Sequence, residues 1–278
     1  MLNAVIKISA GFILDLIFGD PYRFPHPVRF IGKFISFADE KLRKIKHEFS
    51  GGMLLLILTV GLTYGITYFL CSFSDLVEIF FIYTIFATNS LAKEGRKIYR
   101  SLQKGDIKSA RKWLGWIVSR ETAELEEEEI VRGAVETISE NIVDGLIAPL
   151  FFLFLGGAPL AMAYKAVNTL DSMVGYKTPK YIRFGTASAR MDDILNFLPA
   201  RFTGFVLMPI AALLAGKSWR DSLRVVRRDR LNSSSPNAGH SEAAVAGALG
   251  IQLGGTSTYF GRTVEKPSIG DRNRPLHY

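Results

Sequence analysis

The chain has 278 residues, of which 48% are hydrophobic and 22% charged, and 34 Lys and Arg against 26 Asp and Glu give a formal net charge of +8. So apolar a composition excludes intrinsic disorder, and the lone cysteine, Cys71, excludes a disulfide framework and a cysteine-based metal site. What remains is an all-α, polytopic integral membrane protein with large polar loops. Its basic excess is read first as the Lys and Arg of cytoplasmic loops, not as a nucleic-acid surface.

Residues 1–19 are mostly apolar, carry Lys7 and Asp15, and are long enough to be expected to span. No small-residue cleavage site follows, which argues against a removed signal peptide. Residues 51–72 form the cleanest span, without a charged residue. Residues 76–92 follow after a few polar positions, so the two are expected to make a tight helical hairpin. The stretch 93–135 reads as helical, and its acidic run at Glu124 and Glu126–Glu129 as a solvated face without chemistry.

The apolar region 142–167 is interrupted by Asp144-Gly145, Pro149, Gly156-Gly157 and Pro159. Such residues predict either broken or re-entrant half-helices or a kinked span. Residues 202–216 are short, reaching about 22 Å as helix, and contain Pro209. Residues 20–50 hold seven Lys and Arg, residues 93–135 hold ten, and the turn at 73–75 holds none. The positive-inside rule puts both long loops in the cytoplasm and the turn outside. The basic run 217–230 reads as a cytoplasmic flank with some attraction to anionic lipid. No internal repeat is visible, and the chain stops after IGDRNRPLHY without a further apolar helix.

Five constellations carry possible chemistry. In Gly19-Asp20-Pro21 and Pro25-His26-Pro27, the prolines stiffen the backbone and can aim Asp20 and His26 at a ligand. Glu136, Glu140 and Asp144 are spaced i, i+4, i+8, with Asn141 among them, and fall on one face of a uniform helix. Three stacked carboxylates repel one another unless cations are near, and oxygen-only ligands suit Mg²⁺. Lys165, Asn168 and Asp171 lie at the end of the broken apolar region, where ionisable groups are costly and tend to line a site. Ser188, Arg190, Asp192, Asp193 and Arg201 follow. Arg190 offers a planar fork for phosphate, and the two aspartates either hold a metal or pair with Arg190. Finally, Ser235-Pro236-Asn237-Ala238-Gly239-His240 opens a helix of very small residues, suited to close packing and to an anion at its start. Gly216-Lys217-Ser218 ends like a P-loop, but Ala211 stands at the first glycine position and no strand precedes it.

In this order, GDP…PHPV, ETISENIVDGLIAPLF, YKAVNTLDSMVGY, FGTASARMDD…LPAR and SPNAGHSEAAVAGALG resemble the CobD/CbiB family of cobalamin biosynthesis, from about residue 11 to residue 271. The resemblance implies a single membrane-embedded domain over 1–278, lacking a C-terminal helix that family members usually carry. It implies an adenosylcobinamide-phosphate synthase of the cell membrane. That enzyme joins adenosylcobyric acid to (R)-1-aminopropan-2-yl phosphate with ATP and Mg²⁺. The lipid bilayer, and other membrane enzymes of the corrinoid pathway, are the partners it implies.

Residue chemistry fits such a ligase. A carboxylate must be activated before an amine attacks it, most simply as an acyl phosphate, and activation needs a divalent ion and basic groups. Glu136, Glu140, Asp144, Asp192 and Asp193 are the candidate metal ligands. Lys165, Arg190 and Arg201 are candidate phosphate clamps, and His26 or His240 is the candidate base. Glu140 is also placed with the catalytic group, and Asp20, Asn141, Asn168, Asp171, Ser188 and Asn237 with substrate. The active site is expected to face the cytoplasm. A transporter, or a non-catalytic scaffold for corrinoid enzymes, is the alternative.

Overall fold

The computed structural model describes residues 2–21, 25–259 and 261–278. Contacts divide the chain into two compact units, Met1–Asn89 with Asp144–Asn196, and Ser90–Val143 with Phe197–Tyr278.

The first unit holds α1 (Leu2–Phe18), α2 (Pro27–Leu42), α3 (Glu48–Cys71) and α4 (Asp75–Ile85), then α8 (Ala148–Val174) and α9 (Thr186–Leu195). Ser74 ends the short turn after α3 and caps α4, its Oγ accepting from Leu76 N at 3.2 Å. The expected hairpin therefore forms. α3 packs on α2, α8 and α9, and α1 packs on α4. Gly52 explains how close α3 comes to its neighbours, because a Cβ there would run into the carbonyl of Phe184. α3 also exposes Ile57, Ile66, Tyr68 and Phe69. A face so apolar along a whole helix suits hydrocarbon rather than water.

The glycine pair breaks α8 where the sequence indicated. Gly156 and Gly157 leave helical geometry, and Gly157 adopts φ +67°, which favours glycine. Asp144-Gly145 does something different. Helix α7 (Glu127–Ile142) does not stop there but loosens into a π turn over Val143–Ile147 before α8. Pro149 supplies the reason. It has no N–H, and its ring would press on the carbonyl four residues back, that of Gly145. The Gly145 carbonyl instead accepts from Ala87 N at 3.1 Å.

The same device recurs at Pro209. Helix α10 (Phe197–Phe202) passes through a π turn, Thr203–Leu207, into α11 (Met208–Leu214). Pro209 thus interrupts nothing, and the 18 residues Phe197–Leu214 reach about 27 Å. This exceeds the length expected from 202–216. Among the described residues four helical stretches are long and apolar enough to cross a membrane: Glu48–Cys71, Asp75–Gln103, Glu127–Val174 and Phe197–Leu214. α1, expected as a span, has 17 residues and is not one of the four.

The second unit holds α5 (Thr88–Gln103, from Ser90 on), α6 (Ile107–Leu114), α7, α10, α11, α12 (Trp219–Asp229), α13 (Ala238–Leu249) and the strands β1 (Gln252–Tyr259) and β2 (Arg262–Gly270). Ile98, Leu102, Leu114 and Ile130 form one apolar cluster, and Val225, Val226, Ala243, Leu253 and Ile269 another. The small residues of α13 allow the close packing expected of them. A Cβ on Gly239 or Gly247 would strike the carbonyls of Arg230 or Asp221. The acidic run belongs to a helix start: Glu126 and Glu129 form a capping box, and Glu127–Glu129 occupy the first turn of α7, where the helix dipole favours negative charge. The antiparallel hairpin is an addition to the all-α reading. It carries a bulge between Leu253 and Gly255.

Two glycines of α3 test this packing. Gly52→Ala is expected to lower the thermal midpoint of detergent-solubilised protein markedly, since overpacking against backbone costs about 1–3 kcal/mol. Gly61→Ala, with nothing within 4 Å of its Cβ position, is expected to leave the midpoint unchanged or raise it.

Candidate functional site

In the first unit, polar groups meet where the π turn, α8 and α9 come together. Asn168 Nδ2 donates to Asp144 Oδ2 at 3.2 Å and to Asp192 Oδ1 at 3.4 Å. Asn196 Nδ2 donates to the other Asp192 oxygen at 2.9 Å, and Tyr164 Oη donates to Asn196 Oδ1 at 2.9 Å. Lys165 Nζ donates to the Asp144 carbonyl at 3.3 Å, and the carboxylates of Asp144, Asp20 and Asp192 all act on its charge. Burial raises the pKa of Asp192 above its ordinary value, against the hydrogen bonds from Asn196 and Asn168.

His26 sits at the entrance to α2. Its Nδ1 accepts from Val28 N at 3.3 Å, capping that helix, and its Nε2 faces Asp20 Oδ1 at 3.2 Å.

The second unit carries a different arrangement. Glu136 is buried, pairs with buried Arg120, and accepts from Gly254 N at 2.8 Å. Glu242 on α13 is pushed up to about 8, by burial first and then by Glu140 and Glu136. His240 is buried and its Nδ1 has no hydrogen-bond partner. It is pushed down to about 4, by burial first and then by Arg201. Arg201 lies over the Phe197 ring and donates to Asn237 Oδ1 at 3.2 Å.

A profile of the CobD/CbiB protein family matches residues 8–278. The chain belongs to the CobD/CbiB family. It is 50% identical over 285 residues to the cobalamin biosynthesis protein CobD of Geobacter metallireducens, covering 99% of this chain and 89% of that one. It is 50% identical over 284 residues to the cobalamin biosynthesis protein CbiB of Salmonella arizonae and, over the same length, to the cobalamin biosynthesis protein CobD of Citrobacter koseri; each match covers 98% of this chain and 89% of the relative. No solved structure matches it.

In this CobD/CbiB chain the expected site residues divide between the two units. Asp144, Lys165, Asn168 and Asp192 come together, with Asp20 acting on Lys165 and His26 beside Asp20. Glu136 and Glu140 lie on α7 in the second unit, and Asp144 lies in the π turn at the start of the first unit's second segment. Both oxygens of Glu136 are engaged by Arg120 and Gly254, so the ion pair takes the place of the metal expected there.

Among the described residues no three His, Cys, Asp or Glu side chains are grouped to hold a metal ion. The Asp144–Asn168–Asp192 set is nonetheless hard-oxygen chemistry of the kind Mg²⁺ uses when phosphates complete its shell.

Arg190 is exposed on α9, and Asp193 is half-buried, its pKa raised by burial. Asn141 is exposed and donates back to Thr137 O at 2.9 Å. Asp171 lies near the end of α8, beside Gly175. The Ser188 hydroxyl is fully buried without a hydrogen-bond partner. His240 is corrected as a base, since a pKa lowered to about 4 makes it a weak one at neutral pH. Glu242, Tyr164, Asn196 and Arg120 were missed. The first three lie inside or beside the motifs singled out, but only burial and partners distinguish them.

Two outcomes follow for the glutamates of the second unit. Glu136→Gln is expected to destabilise by about 3–5 kcal/mol, because Arg120 is left buried without its anion. Replacing both partners by apolar residues is expected to recover part of that loss in a melting assay. Glu242 binds its proton more tightly folded, at about 8, than at its ordinary value of 4.5. Its contribution to stability is therefore present at low pH and lost as pH rises from about 4.5 through 8. The melting-temperature advantage of Glu242→Gln over the parent should grow from pH 5 to pH 9 by this mechanism; an advantage that does not change with pH would remove Glu242 as its source.

Proposed function

We propose that this protein catalyses an amide ligation in cobalamin biosynthesis, joining the carboxylate of adenosylcobyric acid to the amine of (R)-1-aminopropan-2-yl phosphate with ATP. The observation that carries this reading beyond the family is the joining of Asp144 and Asp192 through one amide, Asn168, beside the ammonium of Lys165.

Such a set is suited to phosphoryl transfer. Asp144 and Asp192 would hold Mg²⁺, which when bound supplies positive charge against phosphate oxygens. Asn168 keeps both carboxylates oriented, and Asn196 and Tyr164 keep Asp192 in place. Lys165 faces the developing phosphate charge from within a buried setting, where a fixed cation acts strongly. A corrinoid carboxylate oxygen attacks the γ-phosphorus, and the bond to ADP breaks. The amine then attacks the acyl carbon, the acyl–oxygen bond breaks, and the amine proton leaves with the phosphate. His26 caps α2 and holds Asp20, so its role here is positioning. The reaction is assigned to the cytoplasmic side of the cell membrane, where ATP is available.

The test is a mass-resolved assay of purified protein with both substrates, ATP and Mg²⁺, using ¹⁸O in the corrinoid carboxylate. Label is expected in released phosphate. Label in AMP would make the activation an adenylation, and amide formation without nucleotide consumption would remove the ligase reading. Asp144→Asn and Lys165→Met should each slow turnover at least about tenfold, or about 1.4 kcal/mol, while folding survives. Orientation is tested separately in a Cys71-free variant. A cysteine at exposed Ser234 should label only from the cytoplasmic side, and one at Phe73 only from outside; the reverse pattern would invert the topology.

A further inference from the structure

The second unit contains a small polar cavity of about 130 Å³ between the start of α7 and the hairpin. Its lining includes Glu128, Arg132, Gly254, Gly255, Arg272 and Arg274. Three guanidinium groups against Glu128, with Glu129 3.6 Å from Arg132, leave the hollow with a net positive charge. We propose that it binds the phosphate group of a soluble phosphate ester.

Two of the three arginine side chains have partners. Arg272 Nη2 reaches both oxygens of Glu128, at 3.1 and 3.3 Å. Arg132 Nη2 donates to the Thr256 carbonyl at 3.3 Å and lies 3.6 Å from Glu129. The backbone of Arg274 is fixed by its N–H, which donates to Gly250 O at 3.0 Å. Arg132 Nε, however, is buried and has no acceptor. A buried donor left unsatisfied is unfavourable, and an anion oxygen in the hollow would relieve it.

The bulge glycines make the space. Gly254 and Gly255 both have positive φ, +84° and +81°. A Cβ on Gly255 would stand 3.2 Å from Arg132 Nη1 and press on the guanidinium. The floor of the hollow is therefore backbone, and the arginine fork is left undisturbed.

Size and charge select the ligand. A water occupies about 30 Å³ of liquid, so the hollow takes a few waters or one phosphate-sized group. Several arginines around one anion suit phosphate, whose oxygens accept from more than one planar fork. Glu128, in the first turn of α7, lines the hollow and is already held by Arg272, so its charge is answered before an ester enters. Phosphate binding in this hollow does not rest on the ligase reading.

The experiment uses the full chain in phosphatidylcholine nanodiscs, with phenylglyoxal as arginine reagent and site-resolved mass spectrometry. Millimolar glycerol 3-phosphate should slow modification of Arg274 and Arg272 by about fivefold or more relative to potassium chloride of equal ionic strength. Glycerol should give no protection. Arg132→Gln should abolish most of the protection without changing the unprotected rate. Equal rates in the parent with and without the phosphate ester would overturn the site, and that result needs no variant to fold. Protection only when anionic lipid is added to the nanodisc would overturn the assignment to a soluble ester. No turnover is involved, so a failed protection leaves the ligase reading untouched, and a failed ligase assay leaves the phosphate site untouched.

Discussion

Two carboxylates from separate elements can stand together inside an apolar bundle only if donors reach both of them. In the first unit that task falls to Asn168, whose amide donates to Asp144 and to Asp192. The cost of burying a carboxylate is large, and each missing donor adds to it. Asn196 and Tyr164 extend the network behind Asp192, so the amide is itself part of a connected chain of bonds. Satisfied networks of this kind fix geometry, because no member can turn without stranding another. The position of the cluster therefore follows from the polar pairing as much as from the apolar packing of α3 and α8.

That pairing depends in turn on a backbone irregularity. Pro149 cannot take part in regular helical bonding at its position, and the chain responds with a π turn rather than a break. The freed Gly145 carbonyl finds Ala87 N, so no backbone group is orphaned in a setting without water. Asp144 lies inside the turn, next to this adjustment. A uniform helix from Glu127 onward would carry Asp144 at the i, i+4 spacing of Glu136 and Glu140, but Asp144 lies in the π turn. Instead it joins Asn168. π turns of this type concentrate at functional positions for the same reason: they redirect one side chain without ending the helix.

Much of this architecture was legible in the residues. Long apolar runs indicated the membrane class, and Gly156-Gly157 indicated the break in α8. Asp144, Lys165, Asn168 and Asp192 were each singled out, because ionisable groups next to apolar segments need partners. Their mutual contact was not legible, since they come from three motifs and nothing local joins them. The carboxylate stripe was read with i, i+4 arithmetic, which assumes one uniform helix, while a π turn over Val143–Ile147 contains Asp144. Pro209 misled in the opposite direction, since a proline reads as an interruption while a preceding π turn absorbs it. The hairpin escaped notice because β1 is rich in Gly, Ser and Thr and β2 contains Pro267, both weak strand signals.

The histidines and glutamates show why residue type alone does not assign a role. His26 and His240 are the same side chain near proline-rich turns. His26 spends one nitrogen on capping α2 and the other on Asp20, so it orders its surroundings. His240 is closed off by burial beside Arg201, which favours the neutral ring, and it offers little basicity at neutral pH. The glutamates diverge in the same way. Glu136 has a buried cation and a backbone N–H, and its charge is answered twice. Glu242 is buried with Glu140 and Glu136 acting on it, and Lys266 and Ser233 offset only part of that. Proton exchange near neutral pH therefore passes, in the second unit, from the histidine that the sequence favours to a glutamate that it does not. The selection is made by burial and by the sign of the neighbouring charges, and both are properties of the fold rather than of the motif.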